Sequence, residues 1–538
     1  MFVRRGFRRL QCLILLLGVW GAGIRANPVD VGSRKQLFFD DHVIESMQGV
    51  YRIMNQPLKY AGNPVIRMDR CWEADMHFGN SPNLAFDPDR NVYQMWHQVV
   101  NYDWSDNFVG YYESRDGLNW DKPLVGQFDY HSRWCPGDAS RNHNFVFGKD
   151  VGARAPGVAR DPHESDPRKR YKMLYRHNSK DPKVNGVWAA HSPDGIQWEL
   201  YDGINPVFLN NDTHQVFFWD PRRNLYVAHI RLWPPIFKDH PLFRGTRREG
   251  RVRTPGIATS PDFLKWDAPA EMRDPVEVNR KYILVPPDEK DAPCTGGFYT
   301  FETLLYEGIY IGFLTPYHIC PGMEPMTPPS RDLARNPWLD RIDIQLAFSR
   351  DGTNWQRVGQ RRPFIPNGPE GSYDSGMIFV AQPPLVREDR GEIWLYYTGF
   401  KKGHWGVRRG ENQESSQNLA TLRLDGFVSL AAGRGSFTTK PLRFSGNRLR
   451  LNGSTAGDEG AIQVEILDPE TGEPLPGYSR EDCQSFRGDS IAHTVSWKKK
   501  FDLTALKGRV LQLRFHMQRS KIFSFQFFAE WLMADPPQ

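Results

Sequence analysis

One seven-residue pattern recurs along this chain and constrains its fold more than any other feature. Ser, Asp-Gly and Trp stand at fixed spacing in segments 114–120, 192–198 and 349–355, and segment 260–266 keeps the Ser, Asp and Trp. A degenerate copy covers 424–427. The five Asp residues are separated by 78, 68, 89 and 74 positions. Since Asp-Gly favours hairpins, each copy predicts a turn, with its Trp packed between neighbouring repeat units.

A short run of β-branched and aromatic residues precedes each turn and predicts a β-strand. These runs are 93–97, 171–175, 225–230, 309–314 and 393–397. Five units of about 70–90 residues, each an antiparallel four-stranded sheet, predict an all-β fold with a five-bladed β-propeller over residues 27–430. A series of β-sandwiches is the alternative, and the recurrence of one signature argues against it.

The signature stops near residue 430, although apolar and polar residues still alternate in segments such as 461–466 and 511–516. Residues 431–538 therefore predict a separate C-terminal β-sandwich. Because no Ser/Gly-rich tether joins the two domains, we expect them to pack rigidly, with the sandwich in a structural role. The alternative is an accessory sugar-binding module that uses exposed aromatics such as Trp497 or Phe486.

The first 26 residues predict a signal peptide, because four arginines precede the apolar run 10–22 and a cleavage site follows it. A membrane anchor is the alternative, but the run is shorter than a spanning helix needs. We expect a secreted or periplasmic protein with no stable membrane insertion after cleavage. The five arginines of this segment account for most of the net charge of +6. The remainder is nearly neutral, which argues against nucleic-acid binding.

Five cysteines follow the predicted signal peptide, and their spacings match no metal motif. At most two disulfides are expected, and neither a metal nor another cofactor is predicted. The sequence also lacks Gly-x-Ser-x-Gly, His-Glu-x-x-His and a phosphate-binding loop. Nucleophilic-serine, zinc and nucleotide mechanisms therefore have no support.

Two short motifs add a family resemblance. The segment 80–84, Asn-Ser-Pro-Asn-Leu, and the strand 93–98 resemble the opening of glycoside hydrolase family 32, and 160–162 resembles its Arg-Asp-Pro motif. With the repeat, residues 35–530 resemble the five-bladed propellers of glycoside hydrolase families 32, 43, 62 and 68. This resemblance implies a glycan-acting hydrolase with carboxylates at the propeller axis. However, Ser81 stands at the position of the family nucleophile, and no Glu-Cys pair is present.

Glycoside hydrolysis needs one protonated and one ionised carboxyl group across the scissile bond. Asp212 and Asp374 each stand just before a predicted inner strand, so they are the first catalytic candidates. Glu73 and Asp75 are the candidates from the first unit. Each of these acids has an alternative interpretation, as a turn residue that accepts backbone N–H groups.

Several polar and aromatic residues are predicted to bind the substrate at the same end of the axis. They are Asn80, His143, His214, Trp72, Arg160 and Tyr373. Further candidates are His404, the stacking rings of Trp96 and Tyr299, and Arg231 and Lys401-Lys402 for acidic or sulfated sugars. The alternatives are core packing for the aromatics and solvated loops for the charges.

The sequence therefore leaves two functions open. The first is a glycosidase that acts on a poly- or oligosaccharide with carboxylates at the propeller mouth. The second is a non-catalytic glycan-binding propeller that has lost the family nucleophile. A pair of carboxylates about 5–10 Å apart at the mouth would favour catalysis.

Overall fold

The structure is a computed structural model, and it describes ten segments of the chain. They are residues 27–102, 105–135, 140–148, 151–209, 212–239, 250–269, 280–291, 297–318, 340–404 and 414–530. The predicted signal peptide lies outside these residues.

The N-terminal segment first contributes strands to the C-terminal domain. It then contributes two short strands to the last blade of the propeller, before the five blades follow in chain order. The first four strands belong to the C-terminal domain. They are β1 Val29–Gly32, β2 Gln36–Leu37, β3 Ile44–Gln48 and β4 Tyr51–Met54. Two closing strands follow, β5 Leu58–Lys59 and β6 Ile66–Arg67. Both closing strands pair with the last strand of blade 5, Ser415–Arg423, so the N-terminal part of the chain completes the ring.

Five antiparallel blades then follow in chain order. Blade 1 contains β7 Met76–Phe78, β8 Asn83–Asp87, β9 Val92–Asn101, β10 Asn107–Ser114 and β11 Phe145–Phe147. Blade 2 contains β12 Arg154–Arg160, β13 Tyr171–His177, β14 Gly186–Ser192, β15 Glu199–Leu200 and β16 Phe208–Leu209. Blade 3 contains β17 Gln215–Asp220, β18 Leu225–Leu232 and β19 Thr254–Ser260.

Blade 4 contains β20 Phe298–Tyr306, β21 Ile309–His318, β22 Arg341–Ile342, β23 Gln345–Ser349 and β24 Trp355–Arg357. Blade 5 contains β25 Met377–Val380, β26 Leu385–Arg387, β27 Glu392–Phe400 and β28 Ser415–Arg423. A parallel bridge between β22 and β25 joins the last two blades. Short 3₁₀ turns cover Cys71–Glu73, Pro167–Lys169, Gly359–Arg361, Glu388–Arg390 and Thr504–Leu506.

The remaining strands form the C-terminal β-sandwich. They are β29 Val428–Thr439, β30 Leu442–Phe444, β31 Arg448–Thr455, β32 Ala461–Leu467, β33 Asp489–Thr494 and β34 Gln512–Phe528. The first half of β34 pairs with β32 and the second half with β31, and the bend between them falls at Arg519, whose φ is 40°. This bend lets one long strand serve both layers of the sandwich.

The predicted all-β class, five-bladed propeller and C-terminal sandwich are confirmed by this strand pairing. The predicted domain boundaries need correction, because β1 to β4 pair with β29, β30 and β34 of the sandwich. Residues 29–54 therefore belong to the second domain and not to the propeller. The repeat signature could not show this, because its first copy begins at residue 114.

The repeated turn has the structure that its sequence predicts. Asp116 Oδ1 accepts the backbone N–H groups of Leu118 and Asn119, at 2.8 Å each, and Gly117 adopts a φ of +77°. The indole of Trp120 donates to the Gly117 carbonyl at 3.0 Å. In the second copy, a Cβ on Gly195 would lie 2.3 Å from the Trp96 ring of blade 1. The turns therefore pack blade against blade, and this close approach requires glycine.

Side-chain amides join the inner strands around the axis. Asn83 donates to the Pro156 carbonyl at 2.8 Å and accepts from the Val158 N–H at 3.1 Å, which links blades 1 and 2. Gln382 exchanges two hydrogen bonds with the backbone of Thr303, which links blades 5 and 4. We call the end of the propeller at which inner strands β12, β17 and β20 begin the mouth.

The two domains share a packed boundary. Phe39 stacks on Phe348 of blade 4, with ring centroids 5.1 Å apart. The buried Asp425 carboxylate, in the degenerate fifth turn, accepts the Ser524 hydroxyl at 2.6 Å. Trp497 and Phe486 are both buried, so they are not the exposed sugar-binding aromatics that one alternative required. This boundary is consistent with the predicted structural role of the sandwich.

Candidate functional site

Glu302 is a carboxyl group that lies on the propeller axis. It belongs to inner strand β20, and its exposed fraction is 0%. The Ser81 hydroxyl of blade 1 donates to its Oε1 at 2.5 Å, and the Thr300 hydroxyl donates to its Oε2 at 3.1 Å. Blades 1 and 4 are not neighbours in a five-bladed ring, so the Ser81 bond crosses the axis. Burial raises the pKa of Glu302 to about 8, and the two hydroxyl groups only partly oppose this.

Asp212 is the second carboxyl group of the mouth, and its pKa is shifted in the direction opposite to that of Glu302. It lies just before β17, and its side chain is 21% exposed. Its Oδ2 accepts the Arg231 Nε–H at 2.9 Å and the Trp233 indole N–H at 2.7 Å. Burial by itself would raise the pKa of Asp212, but the Arg231 charge and these hydrogen bonds outweigh it and hold the pKa far below its usual range. Asp212 is therefore ionised.

His214 lies between these two carboxyl groups. Its backbone N–H donates to the Asp212 carbonyl at 3.0 Å, and its Nε2 is 4.0 Å from Glu302 Oε1. The Phe301 N–H donates to the same Nε2 at 3.1 Å, so this nitrogen is an acceptor. Burial, with the nearby Arg231 charge, lowers the pKa of His214 to about 3. The imidazole is neutral, and His214 lies between the backbone of Asp212 and the carboxyl group of Glu302.

Arginine and aromatic side chains line the mouth beside Asp212. Arg231 donates to the Tyr299 carbonyl at 2.8 Å, and its guanidinium lies 4.4 Å from the centre of the Tyr299 ring. Arg253 lies over the rings of Trp233 and Tyr299, at 4.6 and 4.8 Å. The Tyr299 hydroxyl is 3.2 Å from His404 Nε2. Blades 3 and 4 therefore present cations, rings and carboxyl groups at one point.

Asp374 and Tyr373 lie apart from this group. The Asp374 carboxylate contacts Lys59 of closing strand β5 at 2.6 Å and the Tyr397 hydroxyl at 3.0 Å. The Tyr373 hydroxyl accepts from the Asn63 amide at 3.3 Å. Both side chains face the segment that closes the ring, where they bind neighbouring parts of the protein.

Glu73, Trp72 and His143 make their contacts with the outer part of blade 1. Glu73 accepts from the buried Lys122, and burial raises the pKa of its carboxyl. The Trp72 indole donates to Asn144 at 2.9 Å. Trp72 and His143 line a cavity of about 40 Å³ beside the disulfide Cys71–Cys135.

His143 does not lie at the start of an inner strand. It precedes outer strand β11 of blade 1, whereas the inner strand of blade 2 begins at Arg154. Asp75 lies just before β7, and its carboxylate is 3.7 Å from Arg133.

Asn80 and Arg160 lie at opposite ends of their blades. Asn80 is next to Ser81 at the mouth, and its carbonyl accepts the Thr398 hydroxyl at 2.6 Å. Arg160 ends β12, six residues from the mouth, or about 20 Å at the usual strand rise. Asp161 beside it pairs with Lys172 at 2.5 Å, so this Arg-Asp-Pro segment lies away from the axial carboxyl groups.

Of the predicted residues, Asp212 and His214 contact each other at the mouth, and Asn80 stands next to Ser81, which bonds to Glu302. The residues that sequence reasoning missed are Glu302 and Arg253. An available signal was the single acid within the apolar run 298–306, since an unpaired acid is rare inside a buried strand.

Within the described segments, no group of three or more His, Cys, Asp or Glu side chains is arranged to hold a metal ion. In the same segments, no helix combines the length and apolar character needed to cross a membrane.

Comparison with known proteins yields distant similarities. No protein-family model matches the chain. A curated relative, the A type blood N-acetyl-α-D-galactosamine deacetylase of Flavonifractor plautii, is 27% identical over 171 residues, which cover 28% of this chain and 21% of that protein. The chain thus matches about a fifth of the length of that relative.

Among solved structures, the chain is similar to an N-acetylgalactosamine deacetylase from F. plautii in complex with blood group B trisaccharide. The identity is 12%, the TM-score is 0.41, and 69% of this chain and 96% of that chain are covered. A Bombyx mori family 32 β-fructofuranosidase is 11% identical with a TM-score of 0.37, over 87% and 95% of the two chains. A glycosyl hydrolase from Bacteroides ovatus is 12% identical with a TM-score of 0.40, over 73% and 96%. These similarities concern the fold alone.

Proposed function

We propose that the protein acts on a carbohydrate at the propeller mouth as a glycosidase, with Asp212 and Glu302 as its carboxyl pair. The observation that carries this proposal is that His214 bonds to the backbone of the ionised Asp212 and lies 4.0 Å from Glu302, whose pKa is raised to about 8. Acid-catalysed cleavage of a glycosidic bond requires both forms at neutral pH. The sequence resemblance to glycoside hydrolase propellers supports the same reaction class.

Each carboxyl group then has its own role. Glu302 is fully buried, so its proton would reach the substrate through the half-buried Ser81 hydroxyl, which contacts Oε1 at 2.5 Å. For this transfer the direction of the bond would reverse: Ser81 would accept the proton of Glu302 while it gives its own proton to the leaving oxygen. Asp212 is partly exposed and ionised, and its charge would stabilise the oxocarbenium-like centre. Arg231 and Trp233 fix the orientation of Asp212. A hydroxyl at position 81 is thus compatible with acid catalysis, because it is hydrogen-bonded to the carboxyl group of Glu302.

The test is a panel of oligosaccharides with chromatographic detection of released sugar. Glu302→Gln keeps the shape of the side chain but removes the acid, so kcat/KM should fall by about 10²–10⁴. Asp212→Asn and Ser81→Ala should also lose turnover, whereas the exposed Glu414→Gln serves as the control. With Glu302 as the acid, the wild-type rate should fall above about pH 8. Unchanged turnover in both carboxyl variants would contradict this assignment.

A second candidate is glycan binding without catalysis. It is favoured by the two hydrogen bonds on Asp212 Oδ2, because they oppose its action as a base or nucleophile. In that case the wild-type protein would bind glycans on an array and release no product. The same panel therefore separates the two candidates.

We also propose that the protein acts outside the cytoplasm. The N-terminal 26 residues have the charge and apolar pattern of an export signal, and the disulfide Cys71–Cys135 is of a kind that persists in oxidising compartments. Mass spectrometry of the protein from its native host should find an N-terminus near residue 27. A full-length N-terminus in the cytoplasmic fraction would contradict the proposal.

A further inference from the structure

Arg253 is a buried cation without a hydrogen-bond partner for two of its nitrogens. It is 4% exposed, and its Nε and Nη1 are buried and unsatisfied. Burial lowers the pKa of its guanidinium, with only partial opposition from Tyr299. A buried charge left unpaired is costly, so its persistence at this position calls for an explanation.

Ring contacts account for only part of its surroundings. Trp233, Tyr299 and Tyr317 lie 4.6, 4.8 and 5.7 Å from the guanidinium and cover its faces by cation–π contact. The N–H bonds of a guanidinium lie in its plane and not along its faces, so stacking leaves them without acceptors. An anionic oxygen is the acceptor that these charged donors fit best.

Three further arginines gather at the same end of blades 2 and 3. Arg154 and Arg176 are register partners at the mouth end of β12 and β13. The side-chain oxygen of Asn178 accepts from Arg154 at 2.9 Å, and Arg176 donates to the His177 carbonyl at 2.9 Å. Within the described segments neither forms an ion pair with a carboxylate, whereas Arg231 pairs with Asp212.

The charge of this region is therefore unbalanced. Within the described segments, these four arginines form one ion pair with a carboxylate, between Arg231 and Asp212, and Glu302 is protonated near neutral pH. A neutral sugar would leave this excess uncompensated in a partly dry site.

We infer that the carbohydrate bound at the mouth carries an anionic group, a carboxylate or a sulfate, that Arg253 receives beside Asp212. This inference rests on the proposed function for the location of the sugar. Arg253 acts here as a specificity residue: it holds the charged substituent, while Asp212, and Glu302 through Ser81, act on the bond to be cleaved.

The test measures binding without turnover, by thermal shift and tryptophan fluorescence. The probes are D-glucuronate, galacturonate trisaccharide, a sulfated chondroitin disaccharide, and neutral galactose oligosaccharides of matched length. Anionic probes should bind at least about tenfold more tightly than neutral ones. Arg253→Gln should weaken the anionic probes by about 10- to 100-fold and leave the neutral probes unchanged. The exposed Arg141→Gln, whose side chain is 64% exposed, is the matched control. Comparing the uronate probes with the sulfated probe shows whether the site prefers a carboxylate or a sulfate group.

Stability gives a second measurement that a purely structural arginine would not satisfy. Since Arg253→Gln removes an unpaired buried charge, its melting temperature without ligand should equal or exceed that of the wild type. A lower melting temperature, with no anion-dependent shift in the wild type, would overturn the inference. The proposed function would still be supported in that case if the wild type released product from neutral glycans and Glu302→Gln did not. Anion binding without product release would support the inference and contradict the glycosidase.

Discussion

Replacing Asp374 with Asn should reduce the stability of the ring and leave the mouth intact. Asp374 is 1% exposed, and its carboxylate receives Lys59 at 2.6 Å, the Tyr397 hydroxyl at 3.0 Å and the Ser372 hydroxyl at 3.0 Å. Lys59 belongs to β5, which closes blade 5 from the N-terminal side. The substitution therefore removes the charge that holds the closing strand.

The size of the effect follows from burial. Removing one partner of a buried ion pair costs about 3–5 kcal/mol. Lys59 is 25% exposed and can turn its ammonium group towards solvent, so we expect roughly 2–3 kcal/mol here. This loss should lower Tm by roughly 3–8 °C.

Calorimetry and hydrogen exchange test this expectation together. Asp374→Asn should unfold earlier and exchange faster at residues 58–67, and a cycle with Lys59→Met should give a coupling of about 1–3 kcal/mol. Asp89→Asn, an exposed acid paired with Arg170, is the control. An unchanged Tm with a loss of turnover would refute this reasoning and restore Asp374 as a catalytic residue.

Three further predictions test the axis and the domain boundary. Glu302 keeps a proton up to about pH 8 in the folded protein, whereas an unfolded Glu loses it near 4.5, so wild-type stability should fall by up to about 1.4 kcal/mol per pH unit between these values. Urea midpoints of Glu302→Gln relative to the wild type should therefore rise from pH 5 to 8, and a constant difference would contradict the raised pKa. Gly157→Ala places a Cβ 1.9 Å from the Gln215 carbonyl of blade 3 and should cost about 3 kcal/mol or more in a thermal melt, whereas Gly433→Ala, with no atom within 4 Å, should be neutral. A chain that ends at residue 430 should aggregate on a sizing column, because β1 to β4 lose their partners, and a soluble product of wild-type stability would show that the sandwich is dispensable.

The blades were predictable because their signal is local. Ser, Asp, Gly and Trp lie within seven residues of each other and form the turn by contacts within it, as Trp120 and Gly117 do. The start of blade 2 was not predictable in this way. The long segment between β10 and β12 contains both the outer strand of blade 1 and the crossing to the next blade, and the turn spacing does not separate them.

The candidate site was predicted in part for a similar reason. Asp212 and His214 stand just before an apolar run, and that position alone places them at the mouth. Asp374 has the same local pattern, but its partner Lys59 is 315 residues away, and only the closed ring brings the two together. In the sequence Glu302 is simply one residue of a strand, because its partner Ser81 reaches it across the axis from another blade.

Ser81 gives the sharpest test of this transaxial arrangement. The family resemblance would place a carboxylate at this position, and here a hydroxyl 2.5 Å from Glu302 takes it. Ser81→Asp would set two carboxyl groups against each other in a buried site, where they would share one proton instead of restoring an ordinary nucleophile. The variant should therefore become less stable than the wild type as pH rises from 5 to 8, while Ser81→Asn, which has a similar size and no charge, should show no such trend in urea titrations. If Ser81→Asp kept wild-type stability at pH 8, the Ser81 and Glu302 side chains would not be in contact, and the carboxyl group at the axis would have to come from another residue.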